Sequence, residues 1–387
     1  MINSKIDHTI IIPTKNRPNW IEYSLLHYAN FNYSGEIMIV DDSSELNFEK
    51  NSKIIKSFKD HLFVDHLKGN KLYGERHRNV SNAFSTFLKK IKTKYYSSSS
   101  DDDIIFTPNL NNLINFLEKN LDYSAVTAMH YIYELDKNLN FKKIKKFKGN
   151  ICNFEDPLDR LICYAIEKGL PHYGVIRTES RKALWDCEKK IGWPIFARKN
   201  TKGLESFDEE LSWNAQLYIA GKIGNLNIMQ YFRLNSPNMA RLENLAISKD
   251  ENNYTLGTVG NIFDGSISPA LKETFNEFSE LISYQKTKYK KNEVDFTLKQ
   301  ILWKLIKPYD GAGLLREDTD YKKKLDIKNK FKIKIKFNFH ILFIFKFFNF
   351  IKIILRDFYF KVVNYKIINN FKKSHYEYIN KIFRKND

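Results

Sequence analysis

The chain has 387 residues, 43% of them hydrophobic, enough to build a sizeable core, and the length points to one large domain or two ordinary ones. Three cysteines, Cys152, Cys163 and Cys187, show no C-x-x-C spacing and no partner pattern, so they read as buried or idle thiols of a reducing compartment. The formal net charge of +18 is an excess that needs a place. The N-terminus carries no signal-peptide pattern: its apolar run is only Thr9 to Pro13, and no small-residue cleavage site follows.

In chain order, "TIIIP" (9–13) is a short apolar run, followed by a helix over Pro18 to Asn30 with Trp20, Leu25 and Leu26 as apolar positions. "GEIMIVDDSS" repeats the plan, with an apolar run from Ile37 to Val40 closed by Asp41 and Asp42. Two such runs separated by a helix predict a parallel β-α-β unit, with both runs ending in polar residues where open α/β sheets bind ligands. A helix is expected over Asn79 to Lys92, a weak strand at "KYYSSSS", and a helix over Pro108 to Asn120 with Thr107 as N-cap. "YSAVTAMHYIYEL" reads as a strand, Leu158 to Lys168 and Glu209 to Ala220 as helices, and "KIGNLNIMQYFRL" as a closing strand. No internal repeat of roughly 20–50 residues is present.

Between "KYYSSSS" and "IIFTP" stand Asp101, Asp102 and Asp103. Adjacent carboxylates repel; they suit either a solvated turn or a divalent cation. A third use, as N-cap of the following helix, places even Asp103 a full turn too early. On an extended backbone Asp101 and Asp103 share a face and Asp102 turns elsewhere. No P-loop, H-x-x-x-H or G-x-S-x-G constellation occurs.

From about Lys286 the chain turns lysine-rich, and Lys330 to His340 alternates strictly as "KFKIKIKFNFH". Lys346, Asn349, Lys352, Arg356 and Lys361 then recur every three to five residues in an apolar run. A narrow basic stripe on a wide apolar face suits a helix lying in an anionic membrane interface, or one packed on the domain or on a partner chain. An uncharged span of about 20 residues, as a transmembrane helix requires, is absent. Three segments are expected: 1–285, a lysine-rich connector 286–328, and a basic amphipathic segment 329–387. If the last meets lipid, truncation after about Asp326 leaves a soluble enzyme.

"TIIIPTKNRP", "IMIVDDSS", "GERHRNVSNAF", "SSDDDIIFTPNLNNL" and, more loosely, "FDEELSWNAQLYIAGKIGNL" resemble, in order, the nucleotide-sugar glycosyltransferases of the GT-A fold, family 2. The resemblance spans about residues 9–230. It implies an α/β fold, a Rossmann-like mixed sheet flanked by helices, here followed by a basic aromatic tail. It implies that Asp41 and Asp42 accept hydrogen bonds from the nucleotide base, Asp42 matching best. Pro13 and Thr14 form the opposite wall, with Arg17 close behind. Gly74 lets backbone approach the nucleotide, Arg76 and Arg78 meet phosphate, and Asn79 completes the Arg-Asn pair.

The family's acidic motif, often Asp-x-Asp-Asp, holds Mn²⁺ or Mg²⁺ against the diphosphate. Here Ser100 stands where its first acid does, which leaves the ligands among Asp101, Asp102 and Asp103 open; Asp101 and Asp103 are the expected metal pair and Asp102 meets ribose or sugar. Asp208 matches the family's general base, with Phe207 where a Glu usually precedes it and Glu209 in reserve. The alternative for this cluster is an acidic first helical turn. His172 and Tyr173, in "PHYGVIRTE", are candidates for the acceptor or sugar pocket, or for structural roles.

The implied activity is inverting, metal-dependent sugar transfer to a surface-glycan or lipid-linked saccharide, on the cytoplasmic face of the cell membrane, with no nucleic-acid partner. A nucleotidyltransferase, or a non-catalytic basic binder of membrane or nucleic acid, is the alternative. The first is disfavoured by the lack of glycine in "PTKNRPNW", the second by the concentration of basic excess in the tail.

Overall fold

The computed structural model describes residues 6–69, 87, 90–136, 140–147, 149, 151–167, 169–180, 205–235, 269–306 and 365–382. The first half is built from β1 (His8–Thr14), α1 (Pro18–Asn30), β2 (Glu36–Asp41), α2 (Glu45–Lys56) and β3 (Phe63–Lys68), the three strands all parallel. Then follow β4 (Tyr95–Ser98), β5 (Ile104–Ile105), α3 (Leu110–Lys119), β6 (Tyr123–Leu135) and β7 (Phe141–Phe147). Next come α4 (Pro157–Glu167), β8 (Val175–Arg177), α5 (Glu205–Ala220), β9 (Lys222–Asn235), α6 (Pro269–Tyr284) and α7 (Lys291–Ile306). Residues 365–382 form a last helix, α8. The strands make one nine-stranded mixed sheet in the order β3-β2-β1-β4-β8-β6-β9-β5, with β7 paired to β6.

Strand alternation divides the core into two layers. Ile10, Ile12, Ile37 and Ile39 pack with Trp20, Ile21, Leu25 and Tyr28 of α1. Their neighbours Ile11, Met38 and Val40 face the other side, against Phe87, Ile91 and the α4–α7 group. Both faces are covered, so these strands read as continuous apolar runs rather than alternating ones. The serines of β4 have a use in this interior. Ser97 Oγ lies 3.0 Å from His8 Nε2, and His8 Nδ1 lies 2.9 Å from Tyr33 OH. That hydroxyl donates to His8 O, so His8 Nδ1 carries the hydrogen and Nε2 accepts from Ser97.

Several expectations shift. Thr107 is no N-cap: Thr107–Asn109 is a 3-10 turn, and Thr107 Oγ1 is buried without a partner. The helix proper begins at Leu110. The stretch after Lys286 does not leave the domain at once. Helix α7 buries Val294, Leu298, Ile301 and Leu302 in the same core as α4, α5 and α6. Of the cysteines, Cys152 and Cys163 are buried free thiols, and Cys187 lies outside the described residues.

Part of the basic tail is also core. On α8, Phe371, His375 and Ile379 recur every fourth residue and are buried, with exposures of 3%, 0% and 1%. Phe371 stacks on Phe232 of β9 at 4.0 Å and on His27 of α1 at 4.9 Å. His375 Nδ1 lies 2.8 Å from Tyr23 OH of α1. Residues 329–361, which carry the alternating and striped pattern, lie outside the described residues. Among the described residues, no helix is long and apolar enough to cross a membrane.

The buried histidines predict acid sensitivity. Burial pushes His8 down to about 3 and His27, aided by His375, well below its ordinary value. Both stay neutral in the folded chain while the unfolded chain takes up protons below 6.5. Stability is therefore full above that value and falls with acid, by about 1.4 kcal/mol per group per pH unit. Melting temperatures at pH 7.5 and 5.5 check this: a lower value at 5.5 is expected, and equal values contradict it.

Candidate active site

The carboxyl ends of β1 and β2 lie level, Thr14 opposite Asp41, and the loops that follow are tied together. Asn16 sits at φ 56°, a left-handed conformation that asparagine tolerates. Its backbone N–H donates to Ser43 Oγ at 2.6 Å, and its Oδ1 accepts from Ser44 N and Asn47 Nδ2 at 2.9 and 3.1 Å. The sequence reading missed this residue, although an asparagine just ahead of Arg17-Pro18 and a helix start is a signal for such a turn.

The two acids of β2 separate. Asp41 is fully buried and accepts from Ser43 N, Asn51 Nδ2 and His66 Nε2 at 2.9, 2.7 and 2.9 Å. Burial raises its carboxyl, but the bonds from His66, Ser43 and Asn51 outweigh that and hold it below the usual range. With its oxygens spent inside the fold, Asp41 pins α2 and β3. Asp42 keeps a side chain 16% exposed, 3.7 Å from Lys15 Nζ, at the rim of the same loops. Gly69 packs behind it: a Cβ there would stand 3.3 Å from Asp42 Cβ.

The acidic triplet is a turn, not an extended strand, so the alternation that paired Asp101 with Asp103 does not apply. Asp101 and Asp102 converge instead on one guanidinium. Arg17 Nη1 donates to Asp101 Oδ1 at 2.5 Å and Nη2 to Asp102 Oδ2 at 2.9 Å. Thr14 Oγ1 donates to Asp101 Oδ2 at 2.7 Å, and Ser24 Oγ to Asp101 O at 2.5 Å. Arg17, Trp20 and Ser24 share a face of α1 by their spacing, a pattern visible in the sequence.

Asp103 turns away and accepts from Tyr231 OH and Leu234 N of β9, both at 3.0 Å. Burial pushes its carboxyl well up, and the charge of Asp102 adds to this while Arg233 opposes it. Asp103 therefore does not share a face with Asp101 as the alternation predicts; Asp101 converges with Asp102 on Arg17, while Asp103 is spent on β9. Asp103→Ala would orphan two buried donors, at about 1–3 kcal/mol. A drop in melting temperature is the expected outcome, and unchanged melting contradicts the structural role.

Among the described residues, no group of three or more His, Cys, Asp or Glu side chains is placed to hold a metal. Two carboxylates that already share one cation still fit Mn²⁺ or Mg²⁺, which commonly takes one or two carboxylates and completes its shell with phosphate and water.

His172 and Tyr173 form a buried 3-10 turn against α5. His172 N and Nδ1 lie 3.1 and 2.8 Å from Asn214 Oδ1, so Nδ1 carries a hydrogen. Tyr173 O accepts from Gln230 Nε2 at 2.9 Å, and its ring packs on Tyr231, the partner of Asp103. Gln230 Oε1, on a fully buried side chain, has no partner. Asp208 and Glu209 lie within α5, which begins at Glu205, four residues ahead of the expected start. Gly74, Arg76, Arg78 and Asn79 lie outside the described residues. Pro13 stands on β1 beside Thr14, near the strand's carboxyl end.

Residues 9–170 match the profile described as "Glycosyl transferase family 2". An uncharacterized glycosyltransferase of Rickettsia bellii is 26% identical over 144 residues, 37% of this chain and 20% of its own length. An uncharacterized protein of Plasmodium falciparum is 27% identical over 164 residues, 39% of this chain and 9% of its own. The chain thus spans a small part of the curated relatives it matches. Among solved structures, S. aureus TarS 1–349 in complex with UDP-GlcNAc has a TM-score of 0.46 at 15% identity, over 83% of this chain and 78% of TarS 1–349. The larger TarS structure gives 0.45 at 16%, over 86% of this chain and 46% of its own. With the mixed sheet and the acidic turn at the end of β4, the profile match identifies residues 9–170 as a glycosyltransferase family 2 domain of the GT-A fold.

Proposed function

We propose that the protein transfers a sugar from a nucleoside-diphosphate donor to a hydroxyl of a surface-glycan or lipid-linked saccharide, with inversion at the anomeric carbon. The observation that carries this reading is the placement of Asp101 and Asp102 with Arg17 beside Thr14, at the carboxyl end of β1, where Asp42 is partly exposed. Asp42 accepts an N–H of the base, and Pro13 and Thr14 wall the base pocket. Asp101 and Asp102 face the diphosphate. Asp101 and Asp102 would hold a divalent cation there, and it would supply charge neutralisation for the leaving group.

In the transfer, a carboxylate of α5, Asp208 with Glu209 in reserve, takes the proton of the acceptor hydroxyl. The acceptor oxygen bonds to the anomeric carbon as the bond to the diphosphate breaks, and that electron pair leaves with the diphosphate. The basic aromatic segment 329–361 suits an anionic membrane surface, which would put the enzyme on the cytoplasmic face beside a lipid-linked acceptor.

A screen of nucleotide sugars for Mn²⁺-dependent hydrolysis tests the reading. One donor should release nucleoside diphosphate, and Asp102→Asn should suppress the release. Folded protein that hydrolyses and binds none of the donors contradicts it.

A further inference from the structure

The acidic turn already holds a cation that belongs to the chain. Arg17 bridges Asp101 Oδ1 and Asp102 Oδ2 through its two terminal nitrogens. It is held in place twice: it is the N-cap residue of α1, and its guanidinium lies 5.5 Å from the centroid of the Trp20 ring. The other oxygen of Asp101 is occupied by Thr14, and its side chain is only 3% exposed. Asp102 and Arg17, each 16% exposed, form the open side of the cluster. A divalent ion needs these same carboxylate oxygens at roughly 2.0–2.2 Å, closer than an intervening guanidinium allows. Metal alone must therefore break an ion pair with an always-charged, bidentate donor before it gains a ligand. A diphosphate changes the balance, because it brings further oxygens to the metal and a new anion for the released guanidinium.

We propose that Arg17 is an internal counter-cation that closes the Asp101–Asp102 pair to free divalent metal and transfers to the diphosphate when metal and donor arrive together. This rests on the donor reading above, but the metal-alone arm below decides it separately.

The test uses the full chain and follows free Mn²⁺ by electron paramagnetic resonance, with Mn²⁺ alone and then with UDP, GDP or ADP added. Arg17→Gln should bind Mn²⁺ alone about tenfold more tightly than wild type, the equivalent of one part-buried ion pair. It should bind the Mn²⁺–nucleoside diphosphate more weakly. Arg17→Lys, which keeps a point charge but loses the fork, should show a smaller rise in Mn²⁺ affinity. Circular dichroism establishes which variants are folded, and if Arg17→Gln is not, the comparison rests on Arg17→Lys. Unchanged or weaker Mn²⁺ affinity in a folded Arg17 variant overturns the proposal. Should no nucleoside diphosphate bind in any form of the protein, the donor reading fails, while a rise in Mn²⁺ affinity on losing Arg17 still upholds the counter-cation role.

Discussion

Asp208→Asn is expected to bind the nucleotide-sugar donor as wild type does and to lose transfer by roughly two to four orders of magnitude, the usual worth of a positioned base. In the proposed function donor binding falls to β1, β2 and the acidic turn and proton removal to α5, so the loss should fall on kcat rather than on donor affinity. Asp208 and Glu209 are consecutive positions of one helix, about 100° apart around its axis. One of the two, not both, serves a given acceptor. Steady-state kinetics of Asp208→Asn and Glu209→Gln side by side decide which. Normal turnover in Asp208→Asn with a collapse in Glu209→Gln moves the role one residue along; full activity in both removes it from this turn.

Removing α8 is expected to cost the fold, not only a tether. Phe371 is sandwiched by Phe232 and His27, and His375 meets Tyr23, so α8 seals the outer face of α1. Phe371→Ala alone should cost about 3–5 kcal/mol. Deleting residues 365–387 removes Phe371, His375 and Ile379 together, a loss comparable to the whole stability of a domain, about 5–15 kcal/mol. Truncation after about Asp326, which the tail's composition alone suggests would leave a soluble enzyme, should instead give unfolded or aggregated protein. Thermal melting and sedimentation of the truncated chain check this, and a cooperative melt at the wild-type temperature contradicts it. The same helix α1 holds the acidic turn through Arg17 and Ser24, so the fold and the proposed donor site depend on one element.

The central elements were legible because their apolar runs are long or continuous. β1, β2 and β6 are buried on both faces or nearly so, β9 is buried through 229–232, and α1 begins at Pro18 and ends at Asn30 as its pattern indicates. β3 was not legible, since "FVDHLK" is an edge strand with polar residues and much exposure. Strand β5 has two residues, and β7 is mostly lysine and phenylalanine. The buried positions of α8 are three residues four apart in a lysine-rich stretch, which resembles any amphipathic segment until its partners Tyr23 and His27 are known.

At the site, the sequence offered the acids but not their directions. A period of two put Asp101 with Asp103; a turn put Asp101 with Asp102. The resemblance ranked Asp42 above Asp41, but it gave no sign that Asn51 and His66, ten and 25 residues on, take up Asp41. Such long-range partners leave no local trace.

The most direct test is titration calorimetry of folded wild type and Asp102→Asn with a panel of nucleotide sugars in the presence of Mn²⁺. Asp102 has few internal partners beyond Arg17, so its replacement should spare the fold where Asp103→Ala would not. The account predicts saturable binding of at least one donor by wild type and a loss of tenfold or more, about 1.4 kcal/mol, in Asp102→Asn. Wild type that binds no donor, or Asp102→Asn that binds it with unchanged affinity, would contradict the claim that this turn receives the diphosphate.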